Sequence, residues 1–126
     1  MELSEKSQTA EKSESARKPK ESLQQRAERD PAFRRELLRE GVCYLLSGDV
    51  TVGMMVLHDY IHATVGFPKL GEVMGRSPES LRRMFRPEGN PHSSYLFEII
   101  AFLQKNEGVT LSLRATPIAA RGRRSA

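Results

Sequence analysis

Between positions 67 and 91 the chain reads FPKLGEVMGRSPESLRRMFRPEGNP, a stretch that leaves the backbone few local solutions. Pro68 sits where a helix can start, and its Leu70, Val73 and Met74 are expected to face inward. Gly75 can take the left-handed conformation that ends such a helix, and Ser77 with Pro78 marks the start of another. In that next helix Leu81, Met84 and Phe85 fall at i, i+3 and i+4 and turn to the core. Glu79, Arg82, Arg83 and Arg86 fall at i, i+3, i+4 and i+7 on another face. Helix, three-residue turn and helix are expected, with three arginines on one exposed surface. Pro87, Gly89 and Pro91 stop the second helix.

The flanking segments extend the helical pattern on both sides. Asp30 followed by Pro31 reads as an N-cap and first helical residue, and Phe33, Leu37, Leu38 and Leu45 keep helical spacing to Gly48, which predicts a helix over 31–47. Asp49 is expected to cap a second helix whose Val52, Met55, Val56, Tyr60 and Val65 form an apolar stripe ending near Gly66. The tight Gly48–Asp49 junction folds these two into a hairpin. After Pro91 a last helix carries Tyr95, Leu96, Ile99, Ile100 and Leu103 up to about Asn106. Val109, Leu111 and Leu113 then alternate with polar residues, which predicts a strand over Val109–Arg114. A lone strand needs a partner, and a second copy of the chain can supply it.

Only part of the 126 residues is expected to fold, since 38% hydrophobic content is low for a chain packed along its whole length. Residues 1–29 carry seven basic and six acidic side chains, with Leu3 and Leu23 the only large aliphatic ones after Met1, and read as a disordered arm. A short helix around 21–29 would need a partner to hold it. Residues 116–126 read as a basic tail. The segment 30–115 holds ten basic and ten acidic residues, so the formal charge of +4 does not by itself argue for nucleic acid. No apolar run approaches the roughly 18 residues of a membrane span, and no signal-peptide core is visible, so the chain reads as soluble and cytoplasmic with no membrane partner. One cysteine, Cys43, excludes an intrachain disulfide and reads as a small buried residue.

Leu70-Gly71, Gly75, Arg76, Ser77, Glu79-Ser80-Leu81 and Gly89-Asn90-Pro91 follow one another without a gap. That series resembles the helix-turn-helix of the bacterial addiction-module antidote proteins, antitoxins related to phage-repressor-type regulators. Their pattern runs approximately as Leu-Ala, three variable residues, Gly, an apolar residue, Ser, a variable residue, Glu-Ser-Leu and then Gly-Asn-Pro. The likeness covers roughly residues 32–114. Gly71, Arg76 and Pro78 depart from it, standing where the family usually has Ala, an apolar turn residue and a polar or basic residue.

The resemblance implies an all-α fold: five helices in a phage-repressor-like helix-turn-helix domain over 30–115, followed by one short β-strand. It implies a homodimer that binds operator DNA sequence-specifically, represses transcription of its own operon and neutralises a small toxin protein. Arg82, Arg83 and Arg86 would contact bases or phosphates, with Lys69 and Arg76 on phosphates at the edges of the motif. Ser77 and Asn90 would act through caps and turn geometry, and Glu79 would orient an arginine. A second reading, a partner-binding module that has lost DNA reading, rests on the departures at Gly71, Arg76 and Pro78.

Catalytic constellations are not expected. His58 and His62 stand at i and i+4 with Asp59 where the zinc-protease pattern has glutamate, but a catalytic zinc needs a third protein ligand, and the two read as partly exposed helix histidines. Tyr44, Tyr60, Phe85, Tyr95, Phe97 and Phe102 fall at helical spacings and read as core or interface rather than base-stacking residues. The expectation is a non-enzymatic protein with no cofactor and no metal.

Overall fold

A computed structural model describes residues 21–118, and within them the chain forms six helices and no strand. They are α1 (Leu23–Arg29), α2 (Pro31–Leu46), α3 (Val50–Ala63), α4 (Phe67–Met74), α5 (Pro78–Met84) and α6 (Ser93–Glu107). Among the described residues no helix is long and apolar enough to cross a membrane. The core gathers Leu38, Leu57, Tyr60, Ile61, Leu70, Leu81, Ile99 and Leu103, so every helix from α2 to α6 contributes to one apolar cluster.

The helix beyond the expected five is α1, formed by residues assigned above to a disordered arm. Its start is closed by a capping box: Ser22 Oγ accepts from the Gln25 N–H at 3.0 Å, and Gln25 Oε1 accepts from the Ser22 N–H at 2.9 Å. Ala27 is fully buried, and Arg34 Nη1 donates to its carbonyl at 2.6 Å. One small side chain and one charge-assisted hydrogen bond therefore seat a segment that has almost nothing apolar to bury. Counting large aliphatic residues misses both. Residues 1–20 of the arm and 119–126 of the basic tail lie outside the described residues.

Asp30 caps α2 as its sequence suggests, with Oδ1 accepting from the Phe33 N–H at 3.1 Å. Asp49 holds the equivalent position before α3 but makes no capping bond with its side chain. Between them α2 and α3 form the expected hairpin, and they cross closely where Gly41 and Gly53 face each other. A Cβ added at Gly53 would stand 2.8 Å from Leu45 Cδ2 and 3.0 Å from the Gly41 carbonyl oxygen. That crossing chooses which face of α3 goes inside. Gly53, Met54, Leu57, Tyr60, Ile61 and Ala63 are buried, whereas Met55 is half-exposed and Val52 and Val56 are only partly covered. The expected stripe is thus rotated, because the smooth glycine surface that admits α2 adds nothing to a count of apolar side chains. Cys43 is likewise exposed rather than buried, since α2 turns Leu38 and Gly41 inward.

Gly108, at φ 78°, ends α6, and the segment after it is not a strand. Val109 and Leu111 pack against the core, and the Leu111 N–H donates to Gln104 Oε1 at 2.8 Å. Leu113 is 79% exposed. No second strand exists among the described residues, so the predicted period-two pattern finds no ladder within one chain.

Candidate nucleic-acid interface

The joint between α4 and α5 follows from local chemistry. Gly75 sits at φ 71° and ψ 35°, the left-handed region where a side chain is strained, and its N–H returns to the Gly71 carbonyl at 2.8 Å. The Arg76 N–H reaches the same carbonyl at 3.0 Å. Ser77 then caps α5, its Oγ accepting from the Ser80 N–H at 3.1 Å, and Pro78 fills the first helical position. Gly71 has a packing reason of its own: a Cβ there would come within 2.5 Å of the Arg76 carbonyl oxygen. In this chain the turn folds down onto α4 more closely than an alanine would permit.

Leu81 on α5 and Phe85 at its C-cap are buried, which fixes the rotation of the helix and leaves Glu79 and Arg83 exposed. Arg83 and Glu79 approach to 3.8 Å, a loose i,i+4 pair on an open surface. Arg82 is half-buried, its guanidinium 5.6 Å from the centre of the Phe67 ring. Arg86 lies beyond the helix, which ends at Met84. Its N–H bonds to the Arg83 carbonyl at 3.2 Å, and its own carbonyl accepts from Gly89 at 2.8 Å. The three arginines expected on one surface are therefore divided. Arg83 shares a groove with Arg76, Arg82 lies over Phe67 of α4, and Arg86 borders a cleft with residues of α3.

The remaining site residues frame this element. Lys69 is exposed on α4. Arg76, set in the turn where the resemblance expects an apolar residue, lays its guanidinium over the Tyr95 ring at 4.4 Å. Burial pushes the Tyr95 phenol above its usual range, while the charge of Arg76 pulls the other way. Exposed Asn90 borders, with Arg76, Ser80, Arg83, His92 and Tyr95, an open groove of about 390 Å³. On the opposite side a smaller cleft of about 190 Å³ is bordered by Met55, His58, Asp59, Phe85, Arg86 and Pro87. From 67 to 91 the sequence holds five basic and three acidic residues, so the motif is cationic although the segment 30–115 is neutral.

No protein-family model matches this chain, and neither do curated proteins or solved structures. Its geometry therefore speaks from its own residues. His58 and His62 lie on one face of α3 with parallel rings 6.4 Å apart, and no group of three or more metal-ligating side chains gathers among the described residues. What the sequence did not reveal is that His58 meets α4 and borders the same cleft as Arg86: its ring centre is 5.2 Å from that of Phe67. The only hint was the placement of an i, i+4 histidine pair one turn before the helix-turn-helix.

Proposed function

We propose that this chain binds double-stranded DNA by presenting α5 to the major groove, and that it does so as a homodimeric repressor of the antitoxin type. The observation that carries the reading is the α4–turn–α5 unit, in which Leu81 and Phe85 anchor a short helix whose Glu79 and Arg83, with Arg86 just beyond, stay open to solvent. Arg83 and Arg86 would reach base edges or phosphates, and Glu79 would orient Arg83. Lys69 and Arg76 supply positive charge at the edges, Ser77 caps the start of the helix, and exposed Asn90 follows in the turn after it. Neutralising a small toxin protein is the further part of this reading, drawn from the resemblance alone. A gel shift on the DNA upstream of the chain's own reading frame tests it, with retardation expected and competed by unlabelled operator. A toxin-sized reading frame beside it tests the antitoxin half.

The homodimer would pair Val109–Arg114 across a two-fold axis, which suits palindromic half-sites. Because the Leu111 N–H is already held by Gln104, a Ser112→Pro change is the cleaner probe of that pairing. Light scattering should report a dimer that the proline weakens. A dimer unaffected by it places the interface on the helices.

The partner-binding reading draws support from the arginines themselves: Arg76 lies on Tyr95, Arg82 on Phe67, and Arg83 beside Glu79. Side chains so engaged must leave their present neighbours before they bind DNA. Absence of any retardation, together with capture of the neighbouring toxin-sized protein, would favour this reading.

A further inference from the structure

We infer that His58 is a further contact to the DNA backbone, and that its proton makes binding pH-dependent. The inference rests on the DNA reading above and adds a residue to it. His58 belongs to α3, outside the helix-turn-helix, but its ring lies 5.2 Å from that of Phe67, the residue that also carries the guanidinium of Arg82 at 5.6 Å. Its side chain is 36% exposed, and it borders the cleft of about 190 Å³ that Arg86 enters from the end of the recognition helix. A phosphate held by Arg86 at this cleft would lie beside the imidazole.

The charges around the ring decide when it contributes. On α3 itself, Asp59 Oδ1 stands 3.4 Å from His58 Nδ1, and the His62 ring lies parallel at 6.4 Å. From the turn after α5 comes Arg86, while α4 offers the ring of Phe67, over which Arg82 lies, and α2 does not line the cleft. An arriving phosphate adds negative charge beside the ring and favours its protonated form. By linkage, whatever raises the affinity of His58 for its proton is strengthened by that proton to the same degree. DNA affinity should therefore rise as the pH falls through the histidine range.

The test measures the Kd of the chain for a duplex of its upstream DNA at pH 6 and pH 8 and constant ionic strength, beside His58→Gln and His62→Gln. Coupling of one proton allows up to about tenfold per pH unit, and with partial coupling we expect about fivefold tighter binding by the unaltered chain at pH 6. His58→Gln should lose most of that gain, and His62→Gln should keep it. Because His58 packs on Phe67, the unaltered protein gives a second reading: the proton affinity of the His58 ring, followed by NMR, should increase when the duplex is added. With three histidines in the sequence the resonance can be assigned by substitution. Binding with a pH-independent Kd, or a pH dependence that survives His58→Gln, overturns this inference and leaves the DNA reading standing. No duplex binding at either pH overturns both.

Discussion

The guanidinium of Arg34, one turn into α2, holds the carboxylate of Glu107, the last residue of α6, at 3.0 Å across 73 positions of sequence. Glu107 is almost wholly inside, its side chain 3% exposed, and the Tyr60 hydroxyl of α3 donates to it at 2.5 Å. Through its other nitrogen the same Arg34 holds the Ala27 carbonyl of α1. One charge pair, its carboxylate buried and its guanidinium partly so, thus joins four helices, with Arg35 a second cation 3.9 Å from the same carboxylate.

Removing the carboxylate should leave Arg34 with an uncompensated charge and Tyr60 without an acceptor. Glu107→Ala is expected to lower stability by about 2–4 kcal/mol, the scale for breaking a buried pair from one side. Urea denaturation checks it. A change below about 0.5 kcal/mol would mean that water replaces the pair without loss.

Tyr60 gives that network a pH dependence on the alkaline side. Burial and then the hydrogen bond to Glu107 push its phenol well above the usual tyrosine range. A pKa raised by folding contributes stability that is fully present below the unfolded value, about 10, and is lost as the pH rises above it. Stability should fall more steeply between pH 9 and pH 11 in the unaltered chain than in Tyr60→Phe. Parallel thermal melts of the two proteins over that interval would refute the assignment.

The arm is expected to matter to the domain, contrary to what its composition suggests. A chain beginning at Asp30 loses the buried Ala27, the carbonyl that accepts from Arg34 and the Arg26 guanidinium 4.3 Å over the Phe33 ring. We expect a loss of about 1–2 kcal/mol by denaturant unfolding. Equal stability of the two chains would show that α1 docks without energetic consequence.

On α5, the proposed DNA-reading helix, and the turn after it, Arg83 and Arg86 are the informative pair to replace, because Arg82 also leans on Phe67. Arg83→Ala with Arg86→Ala should weaken DNA binding strongly, flatten the salt slope by about one for each phosphate no longer neutralised, and leave the melting temperature within a few degrees. Adding Arg82→Ala should abolish operator binding. If the triple variant binds as tightly as the unaltered chain, α5 is not the reading element.

Gly71→Ala is the fifth expectation. It would introduce the residue usual in the antitoxin pattern that the sequence resembles, yet its Cβ would meet the Arg76 carbonyl at 2.5 Å, so the turn must move. The variant should be less stable despite the better helix propensity of alanine, which is worth up to about 1 kcal/mol. A more stable variant would show that the turn gives way easily.

Short-range chemistry was legible in the sequence because it acts between residues one to four apart. Asp30–Pro31, Gly48, Gly75 and Ser77–Pro78 place the helix ends where the structure has them, since a cap or a left-handed glycine needs only its own neighbours. Within residues 67–85 periodicity sends Leu70, Leu81 and Phe85 inward as expected, whereas Val73, expected on the same inward face, is 47% exposed. What depends on two helices meeting was not readable. Docking at Gly41 and Gly53 rotated α3, docking of α1 buried Ala27, and the partners of Arg34, Arg76 and Arg82 were chosen by aromatic rings and a carboxylate brought from other helices. Local patterns state which face is apolar. Only the packed helices decide which charge lies against which ring, because that choice is made by contacts between residues that one chain segment does not contain.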